Sequence, residues 1–137
     1  ADDGRPVHLI GYSLGARVVC AALAELQASD RADPLASVSL LGGAIPSDSV
    51  EREKEYGDAI AAVDAPVTNF YSGRDRVLGW VYRLSDRTTA VGSVGIDDPA
   101  AAPDGYQDVD VTDLVADHYS YFEPEEGCLS RVVDNLD

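Results

Sequence analysis

The chain is 137 residues long, 45% hydrophobic, with a formal net charge of −15 at pH 7. That composition suits one domain with its own core and excludes a protein that works by neutralising nucleic-acid phosphates. No apolar run reaches membrane-spanning length, and the first residues lack the basic and apolar regions of a signal peptide.

In chain order, the apolar run Val7-His8-Leu9-Ile10 predicts a first strand, which passes through Gly11-Tyr12-Ser13-Leu14-Gly15 into a helix. Ala16, Val19, Cys20, Leu23 and Leu26 recur at helical spacing, so this helix is expected from about Leu14 to Ala28. Asp33-Pro34 breaks the chain, and Val38-Ser39-Leu40-Leu41 reads as a buried parallel strand ending at Gly42-Gly43. Val50, Tyr56, Ile60 and Val63 suggest one amphipathic helix across the acidic stretch Ser47 to Asp64, and Pro66 to Tyr71 forms a third strand. Val77, Leu78, Trp80, Val81 and Leu84 predict a short helix with Trp80 in the core. Gly92 to Gly105 reads as a long surface loop, Tyr106 to Val111 as a fourth strand and Leu129 to Leu136 as a last helix. Strands alternating with helices in this way predict an α/β protein with about four parallel strands and flanking helices.

The acidic excess is spread along the chain, and Lys54 is the only lysine. At molar salt the screening length falls to about 3 Å, which removes the self-repulsion of such a surface. A halophile's protein in a high-salt cytosol is therefore expected. Cys20 and Cys128 lack metal-ligand spacing and read as core thiols. The sequence holds no methionine, so Ala1 is expected to follow a removed segment.

The stretch from Gly11 to Gly15 has the Gly-x-Ser-x-Gly pattern of a nucleophile elbow. With Gly and Ser each near 7% of residues, a chain this long meets the bare pattern by chance about 4% of the time, so the strand before it and the helix after it carry the reading. Ser13 is expected to sit in a strained backbone conformation that lifts its hydroxyl clear of the sheet. Gly11 and Gly15 are expected to tolerate almost no side chain, and the Leu14 N–H to face a substrate oxyanion. A serine hydroxyl needs a base to take its proton and a carboxylate to orient that base. Only His8 and His118 are available. His8 lies within the first strand and reads as structural, whereas His118 comes after the fourth strand at the carboxyl end of the sheet. Asp75 comes after the third strand at that same end and is the expected acid. Simple capping of the next helix is the competing role for Asp75, with Asp98, Asp108 and Asp110 as rival acids.

Gly-Tyr-Ser-Leu-Gly-Ala-Arg-Val at 11–18, Leu-Leu-Gly-Gly-Ala at 40–44, Asn-Phe-Tyr-Ser-Gly-Arg-Asp at 69–75, Val-Leu-Gly-Trp-Val-Tyr-Arg at 77–83 and Asp-His-Tyr-Ser-Tyr at 117–121 together resemble one family. It is the α/β-hydrolase-like family that includes the eukaryotic transmembrane-and-coiled-coil-domain proteins, here in a haloarchaeal-type, truncated form. The resemblance implies that residues 1–137 are a single hydrolase-like domain lacking its N-terminal strands. It implies a lipase-like or esterase-like serine hydrolase with Ser13 as nucleophile, Asp75 as acid, His118 as base, a small-molecule or lipid ester as substrate, and no metal or cofactor. Arg17 and Trp80 also match family-typical positions without an assigned role.

Such folds place strands before the elbow, and the loop after the third of these normally supplies a second oxyanion N–H. Without them the edge of the first strand is expected to pair with another chain or with the missing region. Losing one such donor costs about 100- to 1000-fold in rate, so a chain of this extent is expected to be weakly active. The segment Ile45 to Ala65 lies where related enzymes carry a lid, and a solvated packing helix fits it equally. The readings that compete with ester hydrolysis are an interaction module with idle site residues and, less prominently, acyl transfer. Membrane association of a longer parent is compatible with this reading.

Overall fold

The computed structural model describes residues 6–29, 35–85, 89–123, 127–134 and 136, with 81–85 described by backbone alone. Four strands, β1 (His8–Tyr12), β2 (Ser37–Leu41), β3 (Val67–Tyr71) and β4 (Tyr106–Asp110), lie side by side in that order, and every neighbouring pair is parallel. Tyr12 pairs with Leu41, Leu41 with Phe70 and Phe70 with Val109, so the carboxyl ends of all four strands share one rim. Parallel neighbours require a crossover each. The helices α1 (Gly15–Ala28), α2 (Gly57–Ala62), α3 (Arg76–Ser85) and the one-turn α4 (Val91–Val94) lie in those crossovers, and α5 (Leu129–Asp134) comes after β4.

Successive strand residues point to opposite faces, which divides the core in two. On one face Val38, Leu40 and Val67 pack with Ala16, Cys20 and Leu23 of α1, Ala59 and Ile60 of α2, and Val91 of α4. On the other, Leu41 and Phe70 pack with Val111, Val115, Tyr121, Cys128 and Val132. Full burial of each Leu, Ile, Val or Phe contributes about 1.5–3 kcal/mol, so the all-buried β2 anchors both layers. Both cysteines are free, buried core thiols.

Four expectations need correction. The stretch 47–64 is a series of turns with helix only at Gly57–Ala62. Its serines and acids bond elsewhere: Ser47 to Thr89, Ser49 to the Pro46 carbonyl and Glu51 to the Asp98 N–H. Ile45, Val50 and Tyr56 belong to the core, which fixes this segment as packing against α1. The region 92–105 is a built element: it holds α4 and a 3₁₀ turn at Pro99–Ala101, and a Cβ on Gly92 would lie 2.2 Å from the Gly43 nitrogen. Trp80 is 65% exposed, because α3 turns Leu78 inward and places the residue two positions on away from that face. Gly15 has open space where a Cβ would stand, whereas a Cβ on Gly11 would meet the Gly15 carbonyl oxygen at 2.8 Å and the Ala16 Cα at 2.9 Å. The Asp33-Pro34 break and the side chains of Val81 and Leu84 lie outside the described residues.

β1 is an edge strand. Beside it Ile10, Leu14 and Val18 are 43%, 67% and 70% exposed, an apolar flank that the described residues leave uncovered.

Candidate active site

Ser13 stands between β1 and α1 with φ +57°, a region that residues other than glycine seldom occupy. Its backbone is pinned on three sides: its N–H donates to the Leu41 carbonyl at 3.0 Å, and its carbonyl accepts from Ala44 at 3.0 Å and Ala16 at 3.1 Å. Gly11 permits this close approach of strand and helix. The Leu14 and Gly15 N–H groups open α1, where the first turn has no intrahelical acceptor and carries partial positive charge.

The Ser13 Oγ lies 2.8 Å from His118 Nε2, and His118 Nδ1 lies 2.8 Å from Asp75 Oδ2. The three residues come from three separate crossings of the sheet rim, after β1, after β3 and after β4. His118 and Asp75 are buried. The other carboxylate oxygen, Oδ1, accepts the Leu78 N–H at 3.2 Å, so Asp75 caps α3 and holds the histidine at once. The two roles open to this aspartate coexist because each uses a different oxygen. The rival acids are engaged elsewhere. Asp98 caps the 3₁₀ turn through the Ala100 N–H, Asp108 accepts from Asn69, Tyr106 and Ile96, and Asp110 accepts from Thr112. His8 is bound through Nδ1 to Ser37 Oγ at 2.7 Å, in keeping with a structural role in the strand.

Two tyrosines that sequence reasoning left without a role complete the surroundings. Tyr12 stacks on the His118 ring with centroids 5.3 Å apart and donates its hydroxyl to the His118 carbonyl. Burial, and secondarily the charge of Asp75, raises the Tyr12 phenol above its usual pKa and keeps it a donor. Tyr121 is fully buried and donates to Asp75 Oδ2 at 2.9 Å. Its contact is with a residue 46 positions earlier, so nothing local in Asp-His-Tyr-Ser-Tyr pointed to it. Arg17 on α1 donates to the Ala44 carbonyl at 3.2 Å, bracing the loop that also binds the Ser13 backbone. Among the described residues no group of three or more His, Cys, Asp or Glu side chains converges as metal ligands would.

An aligned hydroxyl, imidazole and carboxylate can move a proton from Oγ to Nε2 while the carboxylate steadies the resulting charge. No helix among the described residues is long and apolar enough to cross a membrane. The chain is 38% identical over 130 residues to the transmembrane and coiled-coil domain-containing protein STS1 of Oryza sativa subsp. japonica, covering 93% of this chain and 18% of that protein. It is 32% identical over 120 residues to the uncharacterized membrane protein C6F6.13c of Schizosaccharomyces pombe, covering 87% of this chain and 14% of that one. A more distant relative, at 25% identity over 130 residues, is the probable lipase MIL1 of Saccharomyces cerevisiae, covering 93% of this chain and 11% of its length. The chain thus spans less than a fifth of each of these three relatives. No solved structure matches significantly. Residues 1–133 match the profile of the family described as "Protein of unknown function (DUF726)", and the chain belongs to that family.

Proposed function

We propose that this chain carries the catalytic centre of a serine hydrolase acting on carboxylic esters. The observation that supports the reading most is the unbroken run of two 2.8 Å contacts from Asp75 through His118 to a serine held at positive φ. The distant likeness to a probable lipase points the same way. In the proposed reaction His118 Nε2 takes the Ser13 hydroxyl proton as Oγ bonds to the ester carbon, and the carbonyl π electrons move onto oxygen. The Leu14 N–H donates to that oxyanion, and Asp75 holds the imidazolium through Nδ1. Collapse expels the alkoxide, which receives the proton from Nε2, and leaves an acyl-serine. Water then enters by the same steps and releases the acid. No metal or cofactor has a part in it.

A second reading, an interaction module with idle site residues, draws on the exposed Ile10, Leu14 and Val18 beside the edge of β1, which pairs with no other strand among the described residues. The two readings can be joined. Pairing of another chain with that edge would bury the flank and leave the site residues in place.

Hydrolysis of a short chromogenic ester, measured in molar potassium chloride, tests the reading. Turnover should fall about a thousandfold or to background in Ser13→Ala and in His118→Ala. Equal turnover by the wild type and a folded Ser13→Ala protein would instead favour the interaction module.

A further inference from the structure

We propose that Tyr121 is a positioning residue for the Asp75–His118 pair, its hydroxyl fixing the carboxylate oxygen that receives the imidazole N–H. The inference rests on the hydrolase reading for its kinetic consequence, but its geometry stands apart from that reading.

Asp75 Oδ2 has two donors, His118 Nδ1 at 2.8 Å and the Tyr121 hydroxyl at 2.9 Å, while Oδ1 is bound to the Leu78 N–H at 3.2 Å. The carboxylate is thereby tied to α3, to the segment after β4 and to the histidine, so turning about its last torsion breaks at least one bond. The Tyr121 hydroxyl has one proton and two acceptors in reach, Asp75 Oδ2 and the Gly92 carbonyl at 3.2 Å. The proton belongs on Asp75, because the carboxylate is charged and nearer, and because the Gly92 carbonyl already accepts the Ser72 N–H at 3.1 Å. Burial, with the Asp75 charge adding to it, pushes the phenol well above its usual range, which keeps that proton in place.

The ring is held as firmly as the hydroxyl. Gly42, at φ +53°, gives it room: a Cβ there would lie 2.7 Å from Tyr121 Cε2. The Tyr121 carbonyl accepts the Cys128 N–H at 3.0 Å, tying its backbone to the start of α5. Phenylalanine would fill the same space, so the hydroxyl itself serves the polar contact to Asp75.

The test is Tyr121→Phe in the 137-residue chain, with folding checked by thermal melt. With one donor removed, Oδ2 is left a more basic acceptor, so the His118 Nδ1 proton resonance should move downfield of its wild-type position even as the carboxylate is less well held. The less confined carboxylate should slow reaction of Ser13 with a fluorophosphonate about tenfold at saturating probe, with unchanged half-saturating concentration. In an Asp75→Asn background the same change should have almost no further effect, since the two residues act through one contact. In the wild type, a cross-peak should link the phenolic proton to the Nδ1 proton, a measurement that needs no variant to fold. An unmoved Nδ1 resonance in a folded Tyr121→Phe protein, or no cross-peak where the Nδ1 proton is seen, overturns the proposal. A wild type inert to the probe sinks the hydrolase reading while the two spectra still decide the role of Tyr121.

Discussion

The two glycines of the elbow should respond in opposite ways to one added methyl group. In Gly11→Ala the new Cβ meets the Gly15 carbonyl oxygen at 2.8 Å, the Ala16 Cα at 2.9 Å and Val19 Cγ2 at 2.9 Å. Two of these are backbone atoms of α1, which cannot yield without moving the helix that holds Ser13. Overpacking of this kind costs about 1–3 kcal/mol. With an unfolding entropy of about 2.1 cal/mol/K per residue, a chain of this length loses about 3.5 °C for each kcal/mol, so the melting temperature should drop by about 3–10 °C. Gly15→Ala meets no atom within 4 Å and stands in the first turn of α1 at an ordinary φ. There alanine gains up to about 0.5–1 kcal/mol over glycine, chiefly by restricting the unfolded chain, a rise of about 1–3 °C. Differential scanning calorimetry of both variants at one fixed salt concentration compares them. Equal losses in the two would refute the reasoning, because the space beside Gly15 would then have to be filled.

The charge of −15 makes stability salt-dependent: the melting temperature should rise between dilute and molar potassium chloride, and a flat response would rule out salt adaptation. Alkali should destabilise the protein, its core thiols contributing alongside buried phenols such as Tyr121. Burial raises Cys20 from 9.0 to about 12 and Cys128 to about 11, so above pH 9 the unfolded chain releases protons that the folded chain keeps. Their contribution is complete below pH 9 and shrinks as the pH climbs towards 11 and 12; a melting temperature constant across that window would contradict it. By the same burial, a thiol-reactive dye at pH 8 should modify neither cysteine until the chain is unfolded, read by absorbance with and without denaturant.

The strands and their helices were legible because hydrophobic pattern and turn chemistry agreed. The strands expected near 38–41, 66–71 and 106–111 appear as Ser37–Leu41, Val67–Tyr71 and Tyr106–Asp110, and the helix after the elbow runs Gly15–Ala28. His118 and Asp75 could be paired with Ser13 from sequence because each comes after a strand, and parallel strands deliver the residues beyond their carboxyl ends to one rim.

Failures arose where specific contacts, near and far along the chain, outweighed the apolar pattern. The apolar spacing across 47–64 mimics a helix, yet Ser49 turns back on Pro46 and Gly57 lies against the Glu51 carbonyl, which ends helical continuity. The glycines of 92–105 suggested a free loop, but Gly92 exists to let that segment touch Gly42 and Gly43. Trp80 looked like core as part of the apolar series Val77 to Leu84, though which side of α3 turns inward is decided by Leu78 packing with Ala44 and Ala90. Tyr121 escaped because its partner Asp75 is 46 residues away, a distance that no local pattern spans.

The central claim is that Asp75, His118 and Ser13 act together to make one hydroxyl a nucleophile. Intact-mass spectrometry after incubation with a fluorophosphonate in molar salt reads this directly, with peptide mapping to locate the adduct. A single adduct on Ser13, abolished in Ser13→Ala and strongly slowed in His118→Ala, is the predicted result. A folded wild-type protein that stays unmodified, or that labels at the same rate without His118, would contradict it.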